Sequence, residues 1–106
     1  MIVNPNDVFD SLGVSNVSRY AKFLREGGPT NSRNDIAIYT IHEVKERNET
    51  FEIKIYLPEY VLIGDDGGGK GFLIHAVHQS TVYSSGFGDF SKDYFCVVAP
   101  DFAVWA

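Results

Sequence analysis

The stretch that most constrains this chain is a run of glycine and acid held between two apolar segments. Tyr60-Val61-Leu62-Ile63 leads into Gly64-Asp65-Asp66-Gly67-Gly68-Gly69-Lys70-Gly71, and Phe72-Leu73-Ile74-His75-Ala76-Val77 follows. Consecutive glycines let the backbone take positive φ without a Cβ clash. Aspartates in a turn accept hydrogen bonds from backbone N–H groups nearby. Two apolar strands joined this closely pair antiparallel, so the stretch is expected to be a β-hairpin, with a bulge at its tip. Gly64, Gly67, Gly68, Gly69 and Gly71 are the expected turn-forming residues.

From Gly64 to Lys70 the same residues also fit G-x-x-x-x-G-K, the first part of a phosphate-binding loop. Such a loop works by joining a strand to a helix, whose N-terminal amides converge on the phosphates, and a Ser or Thr after the lysine holds magnesium. Here Gly71 follows the lysine, the next residues favour a strand, and Asp65 and Asp66 would repel phosphate. The reading is therefore a turn, with no nucleotide and no other cofactor expected.

The remaining chain divides into a helical beginning and a strand-rich remainder. Asn4 can cap a first helix with Pro5 at its first position, Val8, Phe9 and Leu12 on one face, and Gly13 at its end. Ser15 or Asn16 can cap a second, whose apolar positions are Val17, Tyr20, Ala21 and Leu24 beside Phe23, and which Gly27, Gly28 and Pro29 stop. Thr30 to Asp35 reads as a polar loop. Ile36, Ile38, Tyr39 and Ile41 then point to a strand. Phe51, Ile53, Ile55 and Leu57 alternate with Glu52, Lys54 and Tyr56 as a half-buried strand would. Lys45 to Glu49 between them reads as a charged hairpin loop. Thr81-Val82-Tyr83 begins another strand, Ser84 to Ser91 reads as a flexible turn with two aromatics, and Tyr94 to Ala99 is a last strand before Pro100. Helices first and strands after imply a single α+β domain over residues 1–106, with a mostly antiparallel sheet and the N-terminal helices packed on one face.

Composition narrows the function. At 106 residues there is room for one core. Fourteen acidic residues against nine basic give a net charge of −5, which disfavours nucleic acid as a direct ligand and suits a basic partner. The start lacks a basic segment followed by an apolar run, so no signal peptide is expected. No apolar run approaches about 18 residues, so no membrane partner is expected either, and the expected location is cytoplasmic. Cys96 stands alone among Tyr94, Phe95, Val97 and Val98, as a buried inert thiol would.

Other catalytic patterns fail on spacing. His75 and His78, three apart on a strand, would point to opposite faces and make no metal site. His42-Glu43 has no second histidine at the spacing of a zinc-protease helix and lies in a strand-like segment. Ser84, Ser85 and Asp89 have no histidine arranged with them by sequence, and the acids are scattered through loops. No catalytic residue is assigned, and an enzyme is not expected.

Three segments carry a resemblance. Tyr20-Ala21-Lys22-Phe23-Leu24-Arg25-Glu26-Gly27-Gly28 resembles the Y-x-x-F-L-x-x-x-G-G helix and stop of the SUKH superfamily, which includes the yeast cell-wall assembly regulator and many bacterial immunity proteins. Leu57-Pro58-Glu59-Tyr60-Val61-Leu62-Ile63 with the glycine run is similar to its central strand and hairpin, and Ala99-Pro100-Asp101-Phe102 to the lead into its last helix. The likeness runs from about Tyr20 onward. It departs at Ser15-Asn16-Val17, where the superfamily has L-P, and in Asp101 to Ala106, which allow only a turn or two of the final helix. The resemblance implies an α+β fold and a non-catalytic domain that binds another protein. In bacteria that protein would be a cognate toxin, often a basic nuclease, which the domain neutralises. A regulatory or scaffold module without a toxin partner is the alternative. The expected contact residues are Asp65, Asp66, Lys70, Phe87, Asp89 and Phe90.

Overall fold

The computed structural model describes residues 4–26, 36–86, 88, 93 and 95–102. The expected glycine-proline stop after the second helix, the polar loop from Thr30 to Asp35, and the final turn beyond Phe102 lie outside them. So do Phe87, Asp89 and Phe90.

The first helix forms as its residues dictate. α1 runs Pro5–Leu12, with the Asn4 side chain accepting from the Asn6 N–H at 3.0 Å and Gly13 closing it at φ +72°. Val8, Phe9 and Leu12 are buried along one stripe. α2, Arg19–Arg25, starts later than the cap at Ser15 or Asn16 would place it. Ser18 is the cap, accepting from the Ala21 N–H at 3.3 Å, while Ser15 closes a preceding turn by accepting from the Ser18 hydroxyl. Val17 therefore precedes the helix and is 84% exposed, and Tyr20, Ala21 and Leu24 carry its buried face. The Tyr20 ring packs edge-on to Phe102, and its buried hydroxyl has no hydrogen-bond partner among the described residues.

Among the described residues the sheet has five strands, all neighbours antiparallel, in the order β1-β2-β3-β4-β5. They are β1 (Ala37–Ile38), β2 (Tyr60–Asp65), β3 (Lys70–His75), β4 (Val82–Gly86) and β5 (Cys96–Ala99). Val61, Leu62 and Ile63 are all fully buried, so both faces of β2 are covered, as an unbroken apolar run requires. The α+β class and the antiparallel sheet are as expected.

Between β1 and β2 the expectation is overturned. Lys45 to Glu49 is not a hairpin loop but most of α3, Val44–Thr50, and the expected strand from Phe51 to Leu57 is a turn followed by α4, Ile53–Tyr56. The alternation is coincidental: Ile53 and Leu57, four apart, are buried, while Ile55 between them is 70% exposed. The charges fit a helix as well, since Lys45 and Glu49 pair at i,i+4 with 3.7 Å between Nζ and Oε1. Glu43 prepares the start by accepting from the Thr40 N–H and hydroxyl, both at 3.1 Å. This also shortens β1, because the chain turns into α3 at Thr40, one residue past the Tyr39 N–H bond to the Ile63 carbonyl.

One side chain ties α3 to the sheet. Buried Asn48 donates from Nδ2 to the Val44 and Leu62 carbonyls, each at 2.8 Å, and accepts from the Leu62 N–H at 2.9 Å. Asn48 thus takes the place of a neighbouring strand where β1 has already left β2.

Two further expectations change. Ser84, Ser85 and Gly86 belong to β4 rather than to a flexible turn: Ser84 pairs with Phe72 and Ser85 with Gly71. Cys96 is exposed rather than buried, because β5 is the outer strand and leaves Val97 67% exposed beside it.

Candidate functional site

The β2–β3 connection is the expected hairpin, and its hydrogen bonds explain its sequence. The Asp66 N–H donates to the Lys70 carbonyl at 3.1 Å, closing the turn. Asp65 Oδ1 accepts from the Gly67 N–H at 2.9 Å; Asp66 Oδ1 accepts from Gly68 at 2.9 Å and from Lys70 at 3.1 Å. Gly67 sits at φ +74°, where a side chain would be strained. The amides of Gly67, Gly68 and Lys70 are therefore turned onto carboxylates of the loop itself. A strand follows where a phosphate loop would have a helix.

Gly64 and Gly71 lie within β2 and β3 rather than in the turn. Gly64 serves close approach: a Cβ there would stand 2.5 Å from the Ala37 carbonyl oxygen of β1. It follows the register shift between Leu62 and Gly64, so the bulge belongs to β2 and not to the tip.

The two aspartates have different environments. Asp65 is half-buried, and its Oδ2 accepts from the Tyr39 hydroxyl at 2.5 Å while Oδ1 holds Gly67. Burial, and then the bond to Asp65, pushes the Tyr39 hydroxyl well above the usual phenol range. The Arg47 guanidinium lies 5.9 Å from the Tyr39 ring centroid. Asp65 thus locks the tip to buried Tyr39, which in turn packs under α3. Asp66 stands at the outer end, where the backbone bonds from Gly68 and Lys70 hold its carboxyl below the ordinary range.

The structure brings Asp65, Asp66 and Lys70 together at one end of the sheet, and the run from Gly67 to Lys70 is exposed. β4 ends at Gly86, level with Lys70. The three remaining expected contact residues, Phe87, Asp89 and Phe90, lie outside the described residues.

Two features elsewhere are not legible in the sequence. A groove of about 230 Å³ opens between α1, α3 and α4, lined in part by Leu12, Lys45, Glu52 and Ile55. The sequence pattern hides it, because the residues of α3 and α4 look like loop and strand. His75 and His78, expected on opposite faces, come together, with ring centroids 4.5 Å apart, because the strand ends at His75 and residues 76–78 turn back. Among the described residues, no group of three or more His, Cys, Asp or Glu could hold a metal ion. Nor does any helix among them have the length and apolarity to cross a membrane.

No family model matches the chain, and no curated protein matches it.

Proposed function

We propose that the chain is a non-catalytic protein-binding domain of the SUKH kind, a bacterial immunity protein that neutralises a cognate toxin by covering its active face. The reading rests on the three resemblance segments, and one observation carries the contact surface: the build of the hairpin tip. Its shape is set by bonds within the loop, so little ordering entropy is lost when a partner arrives. Its outer residues, Asp66 to Lys70, include an acid, a lysine and three glycines whose backbone is open to contact. The excess of acidic over basic residues favours a basic target, such as a nuclease, and speeds encounter with it.

The division between the aspartates refines the contact set. Asp66 and Lys70 meet the partner, and Asp65 acts from behind by holding the tip. If a toxin gene lies beside this one, the test uses its product, with association measured at low and at physiological salt. Association of the wild type should slow as salt rises, since screening acts beyond about 8 Å at physiological ionic strength. Asp66→Asn should lower the on-rate and leave the fold intact, because an amide oxygen can still accept from Gly68 and Lys70. A toxin that binds equally fast at both salt concentrations, for both proteins, would take the tip out of the interface. A neighbouring toxin that does not bind at all would remove the immunity reading.

A further inference from the structure

The turn after β3 has a hydrogen-bonding arrangement that tolerates only one protonation state. His75 Nδ1 lies 3.1 Å from the Val77 backbone nitrogen and 3.2 Å from that of His78, and it accepts from both N–H groups. A ring nitrogen that accepts two donors carries no proton itself, so the neutral ring holds its proton on Nε2. That nitrogen points toward Glu59, with Oε2 at 3.9 Å.

The turn that these bonds hold is strained and connected. The Gln79 N–H donates to the His75 carbonyl at 3.1 Å, and Gln79 sits at φ +48°, in the left-handed region. Its buried side chain donates to the Ala76 carbonyl at 2.8 Å and accepts from the Tyr20 N–H at 3.0 Å, in the first turn of α2. The helix and the turn are therefore joined through one glutamine, whose backbone conformation depends on residues 76–78 staying in place.

We propose that His75 is a proton-operated latch on this turn. When neutral it accepts from the two amides. A proton taken from solvent onto Nδ1 makes it a donor facing two donors, the ring leaves, and the turn with Gln79 loosens its hold on α2. Among the described residues, the groups facing the ring include the Glu59 carboxylate, the His78 imidazole and the Tyr60 ring, with Tyr83 behind Tyr60. Glu59 attracts the cation and opposes the effect. The two amides decide the direction, since they contact the titrating atom itself and cannot turn away without opening the turn.

The sign follows. The folded state disfavours the proton, so the unfolded chain binds more of it in acid. Stability is then full above the range where an unfolded histidine titrates, about pH 6.5, and falls below it. The test is thermal unfolding at pH 7.5 and 5.5 for wild type, His75→Asn and His42→Asn. In His75→Asn the new side chain offers its amide oxygen where Nδ1 stood and does not titrate. Wild type and His42→Asn should lose about 5 °C of Tm at the lower pH, the scale on which one unit of proton linkage moves a domain of this size. His75→Asn should lose little. A wild-type Tm that does not fall, or an equal fall in His75→Asn, overturns the latch. Should His75→Asn not fold, the wild type decides alone: in an amide NMR titration the Val77 and His78 resonances should move with the His75 ring. Amides that stay still through that ring's titration overturn it equally.

Discussion

Replacing Asn48 tests the structure where the sequence is most misleading. Its side chain serves both the N–H and the carbonyl of Leu62, in the middle of the buried strand β2, and the Val44 carbonyl within α3. In Asn48→Ala the two Leu62 groups lose their partner while Leu62 stays fully buried. Each buried group left unpaired costs about 1–3 kcal/mol. The pair should therefore cost roughly 2–4 kcal/mol, allowing for some relaxation, out of a total that is typically about 5–15 kcal/mol for a domain. Asn48→Asp makes a sharper version. One carboxylate oxygen can still accept from Leu62, but the other faces the Val44 and Leu62 carbonyls in a buried setting. The carboxyl should then titrate above its ordinary range. The unfolded state binds fewer protons than the folded one across that interval, so the variant should gain stability as pH falls toward about 4. Urea unfolding of both variants at pH 7 and pH 5 measures this. An Asn48→Ala protein within about 0.5 kcal/mol of wild type, the scatter of ordinary surface substitutions, would refute the assigned role of Asn48 as the link between α3 and β2. So would an Asn48→Asp variant whose deficit does not shrink in acid.

Three further outcomes follow from the hairpin. Gly67→Val should lower stability by roughly 1–2 kcal/mol because of its positive φ, whereas Gly69→Val should be nearly neutral, since nothing lies within 4 Å of a Cβ there; thermal melts of the two compare them directly. The turn's carboxylate, Asp66, has its folded pKa depressed by backbone bonds, so its stabilising share is present above the unfolded value near 3.9 and is lost as pH falls through the folded one. Asp66→Asn should remove that part of the acid sensitivity, read as a shallower loss of Tm below pH 4. Tyr39→Phe should cost about 1 kcal/mol by removing the donor to Asp65 Oδ2, and amide exchange at Gly67 should quicken more than exchange in β4.

What is legible in the sequence follows from how local the signals are. α1 is legible to the residue, because an Asn-Pro start and a glycine stop are settled within the helix itself. The hairpin is legible because glycines and aspartates satisfy a turn with bonds spanning four residues or fewer. α3 and α4 are not. The charged run of α3 fits a loop and the alternating apolar residues around α4 fit a strand, and what selects a helix is remote: Asn48 reaches across to Leu62, and Ile53 and Leu57 bury against a core assembled from other elements. The short β1 looks longer in sequence for the same reason, since Thr40 and Glu43 start a helix that the charged run conceals. Cys96 is misplaced by its neighbours because apolar residues describe a strand but not its position in a sheet. Only the strand order makes it an edge.

The candidate site shows the same division within two adjacent residues. Asp65 and Asp66 are indistinguishable by type and setting in the chain, and both read as contact residues. Antiparallel pairing puts Asp65 opposite Ala37 at the end of β1, two residues before Tyr39. The Tyr39 hydroxyl thereby reaches Oδ2, leaving Asp65 with both oxygens engaged. Asp66, one residue further, has left the pairing and uses one oxygen to gather two amides of the turn. A double substitution of both aspartates would therefore mix two effects, a loosened tip and a lost surface charge, which only single variants separate. If partner association depends on charge, Asp66→Asn changes the on-rate alone. Asp65→Asn acts through the freedom of the tip, and its effect should appear mainly in dissociation and persist at high salt, where the field of the acidic surface is screened.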